Sequence, residues 1–158
     1  MSRRTARRIG SARGLLLACA CSIATACSSP TGLSRDLADA RARWSDAAIM
    51  SYQVTVYRDC GECPVGARRA VIVTVRNGVV ASRRYADTGE LVPATSASIF
   101  PSVDEMFGVI DGAIGSRAYK LDAQYDPTLG FPSSVFIDYN AQTVDDETSY
   151  SLTAFRPL

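Results

Sequence analysis

The residues best placed to do chemistry are Cys60 and Cys63, which stand as C-x-x-C in "CGECP". Two thiols at this spacing carry out thiol–disulfide exchange when one ionises, and a helix amino terminus or a nearby cation drives that ionisation. Thioredoxin-type motifs therefore open a helix after a strand. Here strand-like segments flank the motif on both sides, with Gly61 inside it and Pro64 and Gly66 behind it, so the pattern predicts a loop with nothing to activate a thiolate. A structural disulfide is the expectation, and a redox-active or redox-sensing pair is the alternative. A zinc site fails by count, because a tetrahedral site takes four ligands and the mature chain offers neither histidine nor a second C-x-x-C.

The absence of histidine removes Ser-His-Asp and Cys-His mechanisms and His-ligated metals. Carboxylate pairs remain, and Asp122, Asp126 and Asp138 lie on or beside strand-like segments. Aspartates at strand ends are usually turn formers, and they are read that way here. In "DYNAQTVDDETS", Asp138, Asn140 and Gln142 imitate a calcium loop, but Thr143 stands where the turn needs Gly and Ser149 where the closing Glu belongs. A polar hairpin loop is expected, with Asp145, Asp146 and Glu147 capable of weak divalent binding at most. Gly108, Gly112 and Gly115 have the wrong spacing for a dinucleotide fingerprint. No catalytic residue, metal or cofactor is expected.

The elements that would position these residues follow from periodicity. Leu33, Leu37, Ala40, Trp44 and Ala47 recur at helical spacing behind Ser34, predicting a helix from Arg35 to Ile49. From Tyr52 the period becomes two. "VIVTVRNGVV" places Asn77-Gly78 between β-branched runs, a strong hairpin signal. Ser102 and Glu105 form a capping box opening a second helix, with Val103, Met106, Phe107, Ile110, Ala113 and Ile114 as its apolar stripe. Three strand-like runs close the chain: "YKLDAQYD", "SSVFIDY" and "SYSLTAF". The expected class is α+β, an antiparallel sheet of about six strands with two helices packed on one face, in the order of a tandem α-β-β-β repeat. Such a sheet leaves one face open. Tyr57, Tyr85, Tyr125, Phe131 and Tyr139 are the candidate binding face.

The amino-terminal stretch fixes the expected location. Five arginines and no acid precede an apolar run from Gly14 to Ala26, the pattern of an export signal and too short to span a bilayer. Ala24-Thr25-Ala26 directly before Cys27 predicts a lipoprotein signal peptide over 1–26, lipidation at Cys27, a tether over 27–33 and one domain over 34–158. Two or more acyl chains would hold such a protein firmly on a membrane. Removing five arginines from 17 basic residues leaves 12 against 16 acidic ones, a net of −4. With Lys120 the single lysine and no basic run, nucleic acid is not an expected partner.

Taken in order, Trp44, Tyr52, the close cysteine pair, "VIVTVRNGVV", "YADTGELVP", "SVDEMFGVI", "YDPTLGFPSSVFIDY" and "YSLTAF" resemble domain-of-unknown-function family 6174, found in exported bacterial lipoproteins. The resemblance covers the chain from Trp44 to Phe155. It departs from the family pattern at Cys60 and Cys63, where the family often has C-x-C, and at Leu91, where proline is usual. It implies a lipoprotein and supplies no activity. The combined expectation is a lipid-anchored envelope protein, on the periplasmic face of the outer membrane, that binds or braces an envelope protein, peptide or other ligand.

Overall fold

The computed structural model describes residues 30–61, 63, 66–143 and 145–158; the basic leader and Cys27 lie outside the described residues. Helix α1 (Pro30–Asp46) is followed by strands β1 (Tyr52–Cys60), β2 (Val71–Arg76) and β3 (Val79–Tyr85). A short 3₁₀ turn (Ala94–Ile99) leads into helix α2 (Val103–Gly115), and then come β4 (Lys120–Tyr125), β5 (Pro132–Asp138) and β6 (Thr148–Pro157). The six strands form one antiparallel sheet in the order β3-β2-β1-β6-β5-β4, so the fold is α+β as expected. Each helix precedes three strands, yet β1 lies at the centre of the sheet and β4 at its edge. The repetition is one of element order and not of place.

Local chemistry explains the elements. Asn77 and Gly78 have φ of 50° and 77° and join Arg76 to its partner Val79, the two-residue hairpin that positive φ at both positions permits. At the start of α2 the Glu105 N–H donates to Ser102 Oγ, and the Ser102 N–H donates to the Glu105 carboxylate at 2.7 Å. These bonds satisfy two donors that a helix start leaves over. Helix α1 differs from its prediction, beginning at Pro30 rather than Arg35 and ending at Asp46 rather than Ile49. Proline suits a first turn, where its missing N–H would have had no intrahelical partner, so Ser34 lies inside the helix and not at its cap.

Leu37, Ala40 and Trp44 of α1 and Met106, Phe107, Ile110 and Ala113 of α2 share one core with Val54, Val56, Val73, Val135, Ile137 and Leu152 of the sheet. Both helices therefore cover the same face. On β6 the simple alternation through Tyr150, Leu152 and Ala154 does not run to the end. The register shifts opposite Gln53 and Thr55, and Ala154 takes φ of 49°. This bulge turns Phe155 inward, where it stacks on Phe131 with centroids 4.9 Å apart and meets Trp44 edge-on at 5.7 Å. Gly130, at φ +80°, passes so close to the Ala40 carbonyl that a Cβ would collide with it.

Candidate functional site

Alternate residues of every strand point away from the helices, and the register aligns them into rows across the sheet. Gln53 pairs with Arg156 on one side and Thr74 on the other, and Thr74 pairs with Ser82. The row is bonded along its length: the Arg156 guanidinium donates to Gln53 Oε1, and Gln53 Nε2 donates to Thr74 Oγ1 at 3.0 Å. A parallel row brings Tyr57, Ser151 and Ser134 together, and the next aligns Asp59, Ser149, Phe136 and Asp122. Among the described residues no helix packs on this face. It is a hydroxyl- and amide-rich surface held in place by the core beneath it.

The five aromatics proposed from sequence do not form one face. Tyr57 looks out from the open side and is 38% exposed, and Tyr139 is exposed just beyond the end of β5. Phe131 is buried in the ring cluster under α1, while Tyr85 and Tyr125 pack partly against the core. The Arg69 guanidinium sits 3.7 Å above the Tyr85 ring. Phe136 belongs to the open face and was not among the five; its place out of phase with Val135 and Ile137 was the available signal. The Lys120 ammonium lies 5.0 Å from its ring centre.

Cys60 closes β1, and Cys63 lies in the following loop with Cα atoms 5.4 Å apart, a disulfide distance. The Arg68 guanidinium donates to the carbonyls of Cys60 and Gly61, at 2.5 and 3.0 Å, and pairs with Asp59 at 2.9 Å. Gly61 packs directly against Asp145 of the β5–β6 loop, where a side chain would not fit. Among the described residues no helix terminus adjoins either sulfur, and Asp59 neutralises the nearby cation. The cavity beside the pair, lined by Asp59, Arg68, Phe136, Glu147 and Ser149, holds about 190 Å³. That is below the span of ordinary small-molecule pockets.

The carboxylates serve structure where their partners are visible. Asp126 accepts from the N–H groups of Thr128 and Leu129, and Asp138 from that of Asn140, both as turn formers. Asp122 pairs with Lys120 at 3.4 Å. Among the described residues no three His, Cys, Asp or Glu side chains converge as a metal set. Displaced acidities also trace to packing. Burial pushes the Tyr52 hydroxyl up to about 12, although it accepts the Val103 N–H at 3.1 Å. Burial and then Asp36 push Tyr125 to about 12. Burial alone would raise Glu105, but the Ser102 N–H and Arg83 outweigh it and hold the carboxyl below its ordinary range. Hydrogen bonding to Arg69 likewise lowers Asp87.

Residues 36–157 match the model of a family of unknown function, DUF6174, and the chain belongs to that family. No curated protein and no solved structure matches it.

Proposed function

We propose that this family member is a lipid-anchored envelope protein, a non-catalytic binding or scaffold module that holds a partner on the open face of its sheet. One observation carries the reading: the face opposite the helices is a continuous, register-aligned polar surface with Tyr57 and Phe136 on it. A surface of this kind is ordered before its partner arrives, so association does not have to pay for folding it. The Ala24-Thr25-Ala26-Cys27 sequence supports an acylated amino terminus, which would tether the module to the periplasmic side of the outer membrane. Cys60 and Cys63 then serve as a staple in an oxidising compartment. The paired state of Arg68 and the lack of a helix terminus beside them among the described residues argue against a redox role.

Intact mass of protein purified from bacterial membranes and alkylated without reduction tests the anchor and the staple together. A chain beginning at Cys27 with acyl chains added, and with Cys60 and Cys63 unlabelled, is the expected result. An unlipidated chain contradicts the anchor, and labelled thiols return the redox reading.

A further inference from the structure

Charge is unevenly paired over the molecule. Arg41, Arg68, Arg69, Arg83 and Lys120 each meet a carboxylate, as suits a body with more acids than bases. Of the described cations that meet no carboxylate, Arg35, Arg43, Arg58 and Arg117 lie elsewhere, and Arg76, Arg84 and Arg156 gather at one corner of the open face. Arg84 donates to the Gly89 carbonyl at 2.8 Å, Arg156 donates to Gln53, and Arg76 is exposed at the end of β2. All three project from the open side, as the pairing of Arg84 with Ile72 and of Arg156 with Gln53 requires. Arg76 and Arg84 line a shallow depression of about 370 Å³ together with Gln53, Ile72, Thr74 and Ser82, and Arg156 adjoins it through its bond to Gln53.

Strand geometry sets their spacing. Arg76 lies two residues beyond Thr74 and Arg84 two residues beyond Ser82 in the opposite direction, which separates them by about 13 Å along the strands. Arg156 stands two strands from Arg76, about 10 Å across the sheet. We infer that this depression docks an extended acidic segment of a partner protein, with carboxylates on the three guanidiniums and its backbone over the amide and hydroxyl row. The inference rests on the open face being the binding face.

Three features favour that occupant. Guanidinium forks match carboxylates in paired hydrogen bonds, and here they stand without an internal carboxylate to satisfy them. An extended chain advances about 3.3 Å per residue, so acidic residues roughly four apart would reach Arg76 and Arg84 together. Tyr85 also lines the depression, but its ring packs partly against the core with the Arg69 guanidinium 3.7 Å above it, so it is not a free stacking platform for sugar rings. Residues 27–158 hold 12 bases against 16 acids, so this corner would also steer an acidic partner, which the rest of that surface repels.

The test uses the full-length lipidated protein in detergent and a fluorescent peptide of alternating glutamate and serine, with nuclear magnetic resonance shifts to locate it. Support is salt-sensitive binding with shifts at Thr55, Thr74 and Ser82, weakened about tenfold or more by Arg76→Gln, Arg84→Gln and Arg156→Gln together. Arg35→Gln with Arg117→Gln should leave it unchanged. Thermal melts verify that both variants are folded. Absent binding, binding indifferent to the triple variant, or equal binding of a lysine–serine peptide overturns the inference. So does a protein that takes dextran sulfate or anionic vesicles through these arginines but refuses the peptide. Shifts confined to the open face but indifferent to the arginines would sink this inference and leave the face intact, whereas shifts confined to the helices would sink both.

Discussion

Val54 and Thr55 are adjacent in the chain and face opposite ways on β1. The valine is fully buried in the core beneath the helices, while the threonine lies among Thr153 and Ile72 on the uncovered side. The same contrast runs through β2, β4, β5 and β6, and more weakly through the edge strand β3. On the covered face each side chain is constrained by several others, as with Trp44, Tyr52, Phe131 and Phe155, which pack as one set of rings. On the open face the neighbours are mostly hydroxyls, an amide and charges joined by hydrogen bonds and ion pairs, with few apolar contacts among them. The lesson is a division of labour: one side supplies stability, and the other carries polar groups that the core does not need.

Substitutions that ignore this division should have the largest effect. Phe107→Ala or Ile110→Ala should cost about 3–5 kcal/mol in urea unfolding, because a cavity opens between α2 and the sheet. Phe136→Ala on the open side should cost less than about 1 kcal/mol. Equal losses would erase the distinction between the faces.

Removing the staple is the next largest perturbation. Cys60→Ser with Cys63→Ser should lower stability by about 2 kcal/mol, the modest entropic effect of so short a loop. Acidic-peptide binding should survive in the folded double variant. Lost binding without lost stability would favour the redox alternative instead.

The capping box sharpens the comparison from the covered side. Ser102→Ala should cost about 1 kcal/mol in the same unfolding measurement. Glu105 adds a pH dependence of fixed sign. Its carboxyl is lowered in the folded protein, so its contribution is present above the unfolded value, ordinarily 4.5, and fades as pH falls through the lower folded one. Glu105→Gln should flatten that acid limb. At the small end, Thr55→Ala and Ser134→Ala should each change stability by no more than about 0.5 kcal/mol.

Much of this architecture was legible in the chain. Period-two alternation announced the strands, Asn77-Gly78 the hairpin, and Ser102 with Glu105 the start of α2, because each signal acts between residues close in sequence. The bulge at Ala154 was not legible, since it depends on how β6 registers against β1, whose Gln53 and Thr55 lie far back in the chain from Arg156 and Thr153. The aromatics failed for a related reason. Composition marked Tyr57, Tyr85, Tyr125, Phe131 and Tyr139, but only pairing decides which way a ring points, and three of the five pack against the core. The arginine corner was equally hidden, because Arg76, Arg84 and Arg156 meet only once β2, β3 and β6 are in place.

The most direct test is site-specific photo-crosslinking in living cells, with the reactive side chain replacing Tyr57 on the open face or Ala38 on the outer side of α1. A discrete adduct from position 57, absent from position 38, is the predicted result. Adducts from position 38 alone, or from neither position, would contradict the assignment of the open face as the working surface.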